Sequence, residues 1–111
     1  MAKWLKELGV DIVDCSAGGA SPASRSSIGS RTSDQIGLAA DIKAAADIKT
    51  MAVGAITEPE QAENIIASGQ ADIVLLARGM LRDPYWPFHA AQALGIDTKT
   101  IMPVQNSFFV G

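Results

Sequence analysis

Three stretches of this chain repeat one pattern: a helix end, a small residue, Asp-Ile, then an apolar run. They read GVDIVDCSAGG from Gly9, AADIKTMAVGA from Ala45 and QADIVLLARG from Gln70. Asp11, Asp47 and Asp72 are therefore spaced by about one βα unit, since a βαβ motif takes roughly 30 residues or more. Each run is nearly continuous and does not alternate cleanly, which is the pattern of parallel strands covered by helices. The repeat confines the chain to a parallel α/β architecture.

The segments between the runs carry helix signals. Thr57-Glu58-Pro59-Glu60 reads as a capping box, with Thr57 as N-cap, Glu60 reaching back and Pro59 tolerated in the first turn. Ala62, Ile65 and Ile66 follow as an i, i+3, i+4 stripe, and Gly69 closes that helix. Leu38, Ala39, Ile42, Ala45 and Ala46 mark an earlier helix of the same kind. Asp83 is placed to cap a last helix in which Pro87, Ala90, Ala91 and Leu94 share a face. Lys3 to Leu8 reads as the tail of a helix, so the expected order is α-β-α-β-α-β-α.

Composition narrows the function classes. With 111 residues, 48% of them hydrophobic and 19% charged, the chain holds at most one domain with a modest core. A net charge of −3 argues against nucleic acid, which calls for a basic face. The single cysteine, Cys15, allows no internal disulfide and fits a reducing compartment. Its position at the end of an apolar strand predicts an inert, buried thiol. No run approaches the roughly 20 apolar residues of a membrane span, and the first residues lack a signal-peptide pattern. A cytoplasmic protein that meets small molecules or other proteins is expected.

Chemistry is concentrated where the strands end. Gly54-Ala55 follows Met51-Ala52-Val53, and Ala77-Arg78-Gly79 follows Ile73-Val74-Leu75-Leu76. Small residues there let backbone N–H groups approach a phosphate, and Arg78 adds a forked cationic donor. A guanidinium at the end of a buried strand needs an anion. That anion is either a ligand phosphate or a structural carboxylate such as Asp83 or Asp14. Gly79 to Arg82 suffices for one short helical turn before the Asp83-Pro84 break. In (β/α)₈ barrels a phosphate often sits between the last two strand loops and a short extra helix. Between Ser16 and Ser33 the chain is rich in Ser and Gly, with Arg25 and Arg31 and no acidic residue. This stretch is either a solvated loop or a cover over an anionic ligand.

Residues 50 to 95, TMAVGAITEPEQAENIIASGQADIVLLARGMLRDPYWPFHAAQALG, closely resemble the C-terminal part of the Old Yellow Enzyme family. The likeness is strongest to its bacterial NADPH dehydrogenase, or ene-reductase, branch. GVDIVDCSAGG resembles the sixth barrel strand of that family, and Pro103-Val104-Gln105 resembles its tail. The pairing of an ITEPEQAE stretch with LLAR and LRDPYWP makes the resemblance specific. It implies an FMN-binding (β/α)₈ barrel that takes hydride from NAD(P)H and passes it to an electron-poor alkene. It also implies that Gly54, Ala55, Ala77 and Arg78 hold the FMN phosphate.

The resemblance also shows what is missing. A (β/α)₈ barrel takes about 250 residues, and three strands are present here. Residues 1–111 are thus expected to be a C-terminal fragment of one FMN-binding TIM-barrel domain, a partial barrel of the last three βα units. The family's substrate-anchoring histidine pair, active-site tyrosine and flavin-tuning cysteine belong to earlier strands. His89 is not one of that pair and reads as a surface or packed helix residue. Ser30 to Gln35 replaces the family's GPGYQ, Gly37-Leu38 replaces its Pro-Phe, and the tail NSFFVG lacks its arginine. No catalytic residue is expected in this chain, and alone it should be inactive. Two unpaired sheet edges predict a homo-oligomer. Two other classes stay open: a noncatalytic, self-associating half-barrel module, and a small Rossmann-like nucleotide binder. The latter is disfavoured by the glycine spacing of SAGGAS.

Overall fold

The computed structural model describes residues 1–16 and 32–106. Helix α1 spans Ala2–Glu7, strand β1 Ile12–Cys15, α2 Thr32–Ala46, β2 Lys49–Val53, α3 Pro59–Ala67 and β3 Ile73–Leu75. The short α4 (Arg78–Arg82) and α5 (Trp86–Ala93) follow, then 3₁₀ turns at Thr98–Thr100 and Val104–Asn106. Arg25, Arg31 and most of the Ser/Gly-rich stretch lie outside the described residues, as does the tail from residue 107.

The strands form one parallel sheet in the order β1-β2-β3. Val13 pairs with Thr50 and Cys15 with Ala52, while Ala52 pairs with Val74 on the other side. Strand order follows chain order without reversal among the described residues, an order shared by consecutive barrel strands and by one half of a doubly wound sheet.

Alternation along the strands sorts their side chains onto two faces. Val13, Cys15, Ala52 and Val74 join the core with Ile36, Ala39 and Ile42 of α2 and with Ala62 and Ile65 of α3. Ile12, Asp14, Met51, Val53, Ile73 and Leu75 point the other way, and none of them is buried. Ile73 is 45% exposed. The apolar runs therefore have one covered face, where two-sided cover was expected. Right-handed crossovers put successive helices on the same side of a parallel sheet. The helix stripes are narrower than read: Ala39, Ala46, Ala62, Ile65, Ala90 and Ala91 are buried, while Leu38, Ala45, Ile66 and Pro87 are exposed.

Two caps also differ from expectation. The N-cap of α3 is Glu58, without a side-chain bond, and Pro59 opens the helix. The residue that reaches back is Gln61, whose Oε1 accepts the Thr57 N–H at 3.1 Å. Proline fixes the first helical position at 59, which moves the cap one residue past Thr57. The N-cap of α5 is Tyr85, and Asp83 instead accepts the Tyr85 N–H at 3.0 Å.

The repeated aspartates serve the strand entries. Asp72 accepts the Thr50 N–H at 3.0 Å and the Lys43 ammonium at 3.1 Å. These contacts, the Thr50 N–H foremost, hold its carboxyl below the usual range. Asp47 takes a left-handed backbone (φ 47°) and pairs with Lys6 of α1 at 2.8 Å. Both lie at the N-terminal end of the sheet, which in barrel folds serves stability.

Thr50 stands out within the core. It is fully enclosed, and its Oγ1 has no hydrogen-bond partner among the described residues. A buried hydroxyl without a partner costs roughly 1–3 kcal/mol. Thr50→Val keeps the shape and leaves the Asp72 contact to the backbone intact. The expected result in urea unfolding is a gain of about 1 kcal/mol, and a loss would show that the hydroxyl has an acceptor.

Candidate functional site

The C-terminal ends of all three strands open onto one cleft of about 330 Å³. After β2 the chain turns through two successive positive φ values, Gly54 at 128° and Ala55 at 41°. Only glycine adopts the first of these freely. Ile56 then buries into the core and anchors the turn. After β3, Ala77 is the N-cap of α4, which begins at Arg78. Gly54, Ala55, Ala77 and Arg78 all line the cleft. The four residues singled out in the sequence thus come together.

The electrostatics favour an anion. Arg78 and Arg82 line the cleft, and among the described residues no acidic side chain does. Among the described residues neither arginine forms an ion pair. The structural carboxylates considered for Arg78 are otherwise placed. Asp83 accepts the Tyr85 N–H and lies 2.6 Å from His89 Nδ1. Asp14 sits exposed on the open sheet face.

Local backbone adds donors. The first N–H groups of α4, at Arg78 and Gly79, have no acceptor within the helix, and alanine at the N-cap offers no side chain to satisfy them. Both glycines are tightly bounded. A Cβ on Gly79 would stand 3.2 Å from Leu76 Cδ2, and one on Gly54 would stand 3.1 Å from Gln35 Oε1. A small, cation-lined cradle with N–H groups that no carbonyl of their own helix takes fits a phosphate. A larger groove of about 500 Å³ between α3 and α5 does not, because among the described residues the one charged side chain in its wall is Glu63.

Gln35, Ile56, Thr57 and Arg82 also line the cleft, and the sequence reading gave none of them a place in the site. Arg82 carried a signal, since it stands four residues after Arg78 on one short helix and so shares its face. Gln35 carried none, because it reaches the cleft from α2, far in sequence from the ends of β2 and β3 that carry the singled-out residues. Cys15 is buried, and burial, with Asp14 nearby, pushes its thiol pKa up. An inert thiol results. His89 is a surface residue, 56% exposed, paired with Asp83. Among the described residues no group of three His, Cys, Asp or Glu side chains is placed to hold a metal, and no helix is long and apolar enough to cross a membrane.

The family described as NADH:flavin oxidoreductase / NADH oxidase matches residues 1–97. An NADPH dehydrogenase of Bacillus licheniformis is 49% identical over 104 residues, covering 94% of this chain and 29% of that protein. An NADPH dehydrogenase of a Geobacillus species is 48% identical over 94 residues, 85% of this chain and 27% of that protein. One from Halalkalibacterium halodurans is 45% identical over 95 residues, 86% of this chain and 27% of that protein. The chain therefore spans less than a third of the length of these curated relatives. A match over most of its residues, with the cleft residues inside it, leads to one conclusion: the chain belongs to the NADH:flavin oxidoreductase / NADH oxidase family.

Proposed function

We propose that this chain supplies the phosphate cradle of an FMN-dependent, NAD(P)H-oxidising enzyme of the ene-reductase type. In this reading it corresponds to the last three βα units of a (β/α)₈ barrel. The observation that carries the reading is the gathering of Gly54, Ala55, Ala77 and Arg78 in one cleft at the strand ends, with no acid in its wall among the described residues. The uncovered sheet face supports the barrel, because in a closed barrel Met51, Val53, Ile73 and Leu75 would face an interior filled by side chains.

Arg78 would take two phosphate oxygens with its planar fork, a charge-assisted and geometrically specific contact. The α4 N–H groups at Arg78 and Gly79 would donate to the same phosphate, and Gly54 lets the opposite backbone come close. Bound FMN would supply hydride transfer from NAD(P)H to an electron-poor alkene. This chain's part is binding and orientation. In the resembled family substrate anchoring and proton delivery belong to residues of earlier strands, so the 111 residues alone should not turn over.

The test is the chain's affinity for FMN against riboflavin, which lacks the phosphate, measured by quenching of flavin fluorescence. FMN is expected to bind at least about tenfold more tightly, the effect of one or two hydrogen bonds to a charged group. Equal affinities would remove the phosphate site. Absence of binding by either would favour a self-associating module that covers its open sheet face with a second copy.

A further inference from the structure

The two walls of the cleft are tied to a helix that does not itself line it. One wall is the turn from Gly54 to Thr57, and the other is α4. From α5, the Trp86 indole N–H donates to the Thr57 carbonyl at 3.2 Å. From the same helix, His89 Nδ1 meets Asp83 Oδ2 at 2.6 Å. Trp86 and His89 stand three residues apart, so both project from one side of α5.

Asp83 is the joint between the helices. Its N–H donates to Gly79 O at 2.9 Å and so closes α4. Its carbonyl accepts the Trp86 N–H at 3.0 Å, and its Oδ1 accepts the Tyr85 N–H at 3.0 Å. Every polar atom of Asp83 is thus engaged, with Oδ2 given to His89.

Helix α4 needs such an anchor. It has five residues, none of them buried, and no side-chain cap at its start. A helix this short is not stable by itself and takes its place from outside contacts. The opposite wall is similar: the positive φ of Ala55, 41°, costs free energy for an L-residue and persists only when the surroundings fix it.

We infer that α5 is a brace that sets the spacing of the two cleft walls. Trp86, His89 and Asp83 are positioning residues for the phosphate. None of the three lines the cleft, so they act through Thr57 and through α4. The inference rests on the phosphate reading above and adds the residues that hold its geometry. It makes phosphate recognition depend on a helix away from the strand ends.

The experiment titrates FMN and riboflavin into the 111-residue chain and three variants. Trp86→Phe keeps the ring and loses the N–H; His89→Phe keeps an aromatic ring and loses the contact to Asp83. His89→Asn restores a donor near the position of Nδ1. His89 is over half exposed, so its replacement leaves the core unaltered. The brace predicts that Trp86→Phe and His89→Phe each weaken FMN binding about three- to tenfold. Riboflavin affinity should stay within about twofold, and His89→Asn should recover most of the loss. Unchanged FMN affinity, or equal losses for both flavins, would overturn the brace while leaving the phosphate site standing. If the unaltered chain does not prefer FMN to riboflavin, the phosphate reading fails and the brace falls with it.

Discussion

Arg78→Ala is expected to weaken FMN binding roughly tenfold to hundredfold and to leave riboflavin binding unchanged. Among the described residues the guanidinium shares its cleft with no acidic side chain and has no ion pair. Its removal therefore deletes a contact to the ligand and leaves none of those carboxylates unpaired. A hydrogen bond to a charged group contributes on the order of 1.5–3 kcal/mol, which corresponds to that range of affinity. Arg78→Lys should recover only part, because an ammonium keeps the charge and loses the planar fork. Riboflavin is the internal control. A general loss of structure would weaken both flavins, and a lost phosphate contact weakens one. Equal FMN affinity in Arg78→Ala and the unaltered chain would return Arg78 to solvent. Arg82 shares the cleft, so residual FMN preference in Arg78→Ala would measure its contribution.

What the sequence disclosed about this fold follows a physical division. Elements signalled by local chemistry were legible: three apolar runs became three parallel strands, and Gly69, at φ 76°, lies just past α3 as a C-terminal glycine should. Small residues and an arginine after apolar runs are likewise a local pattern, and the four residues so marked do line one cleft. Features set by long-range geometry were not. An apolar strand reads the same whether one face is covered or two, so the exposure of Ile73 had no local mark. Gln35 is on a helix whose neighbours in sequence say nothing of the β2 turn it abuts. Asp83 illustrates an intermediate case. Its position before a helix suggested a cap, and its side chain does accept a nearby N–H, but from Tyr85, with its second oxygen given to His89. Sequence spacing identified a residue engaged at a helix junction and could not say which groups it joins. The Thr57 capping box failed for a local reason, since Pro59 determines where the helix starts.

Gly54→Ala should be the most destabilising small substitution in the cleft, and Gly69→Ala shows why by contrast. Both glycines have positive φ, 128° at Gly54 and 76° at Gly69. The second lies near the left-handed helical region, which an alanine enters at a cost of about 1–2 kcal/mol. A φ of 128° lies beyond that region, where L-residues are scarcely found, and strain of this kind costs on the order of 1–3 kcal/mol. Surroundings separate the two further. A Cβ at Gly69 meets nothing within 4 Å, while one at Gly54 would stand 3.1 Å from Gln35 Oε1 and 3.3 Å from Gln35 Cβ. The Gln35 Cβ is fixed to its backbone on α2, so relief requires the helix or the turn to move. Moving the turn displaces Ala55 and Thr57, and with them one wall of the cleft. The expected outcome is a loss of about 2–4 kcal/mol for Gly54→Ala against about 1–2 kcal/mol for Gly69→Ala in urea unfolding. FMN affinity should fall in the first and hold in the second, because Gly69 lies at the opposite end of β3. Equal costs at the two positions would mean that the β2 turn yields without strain, and the cradle would then not depend on glycine.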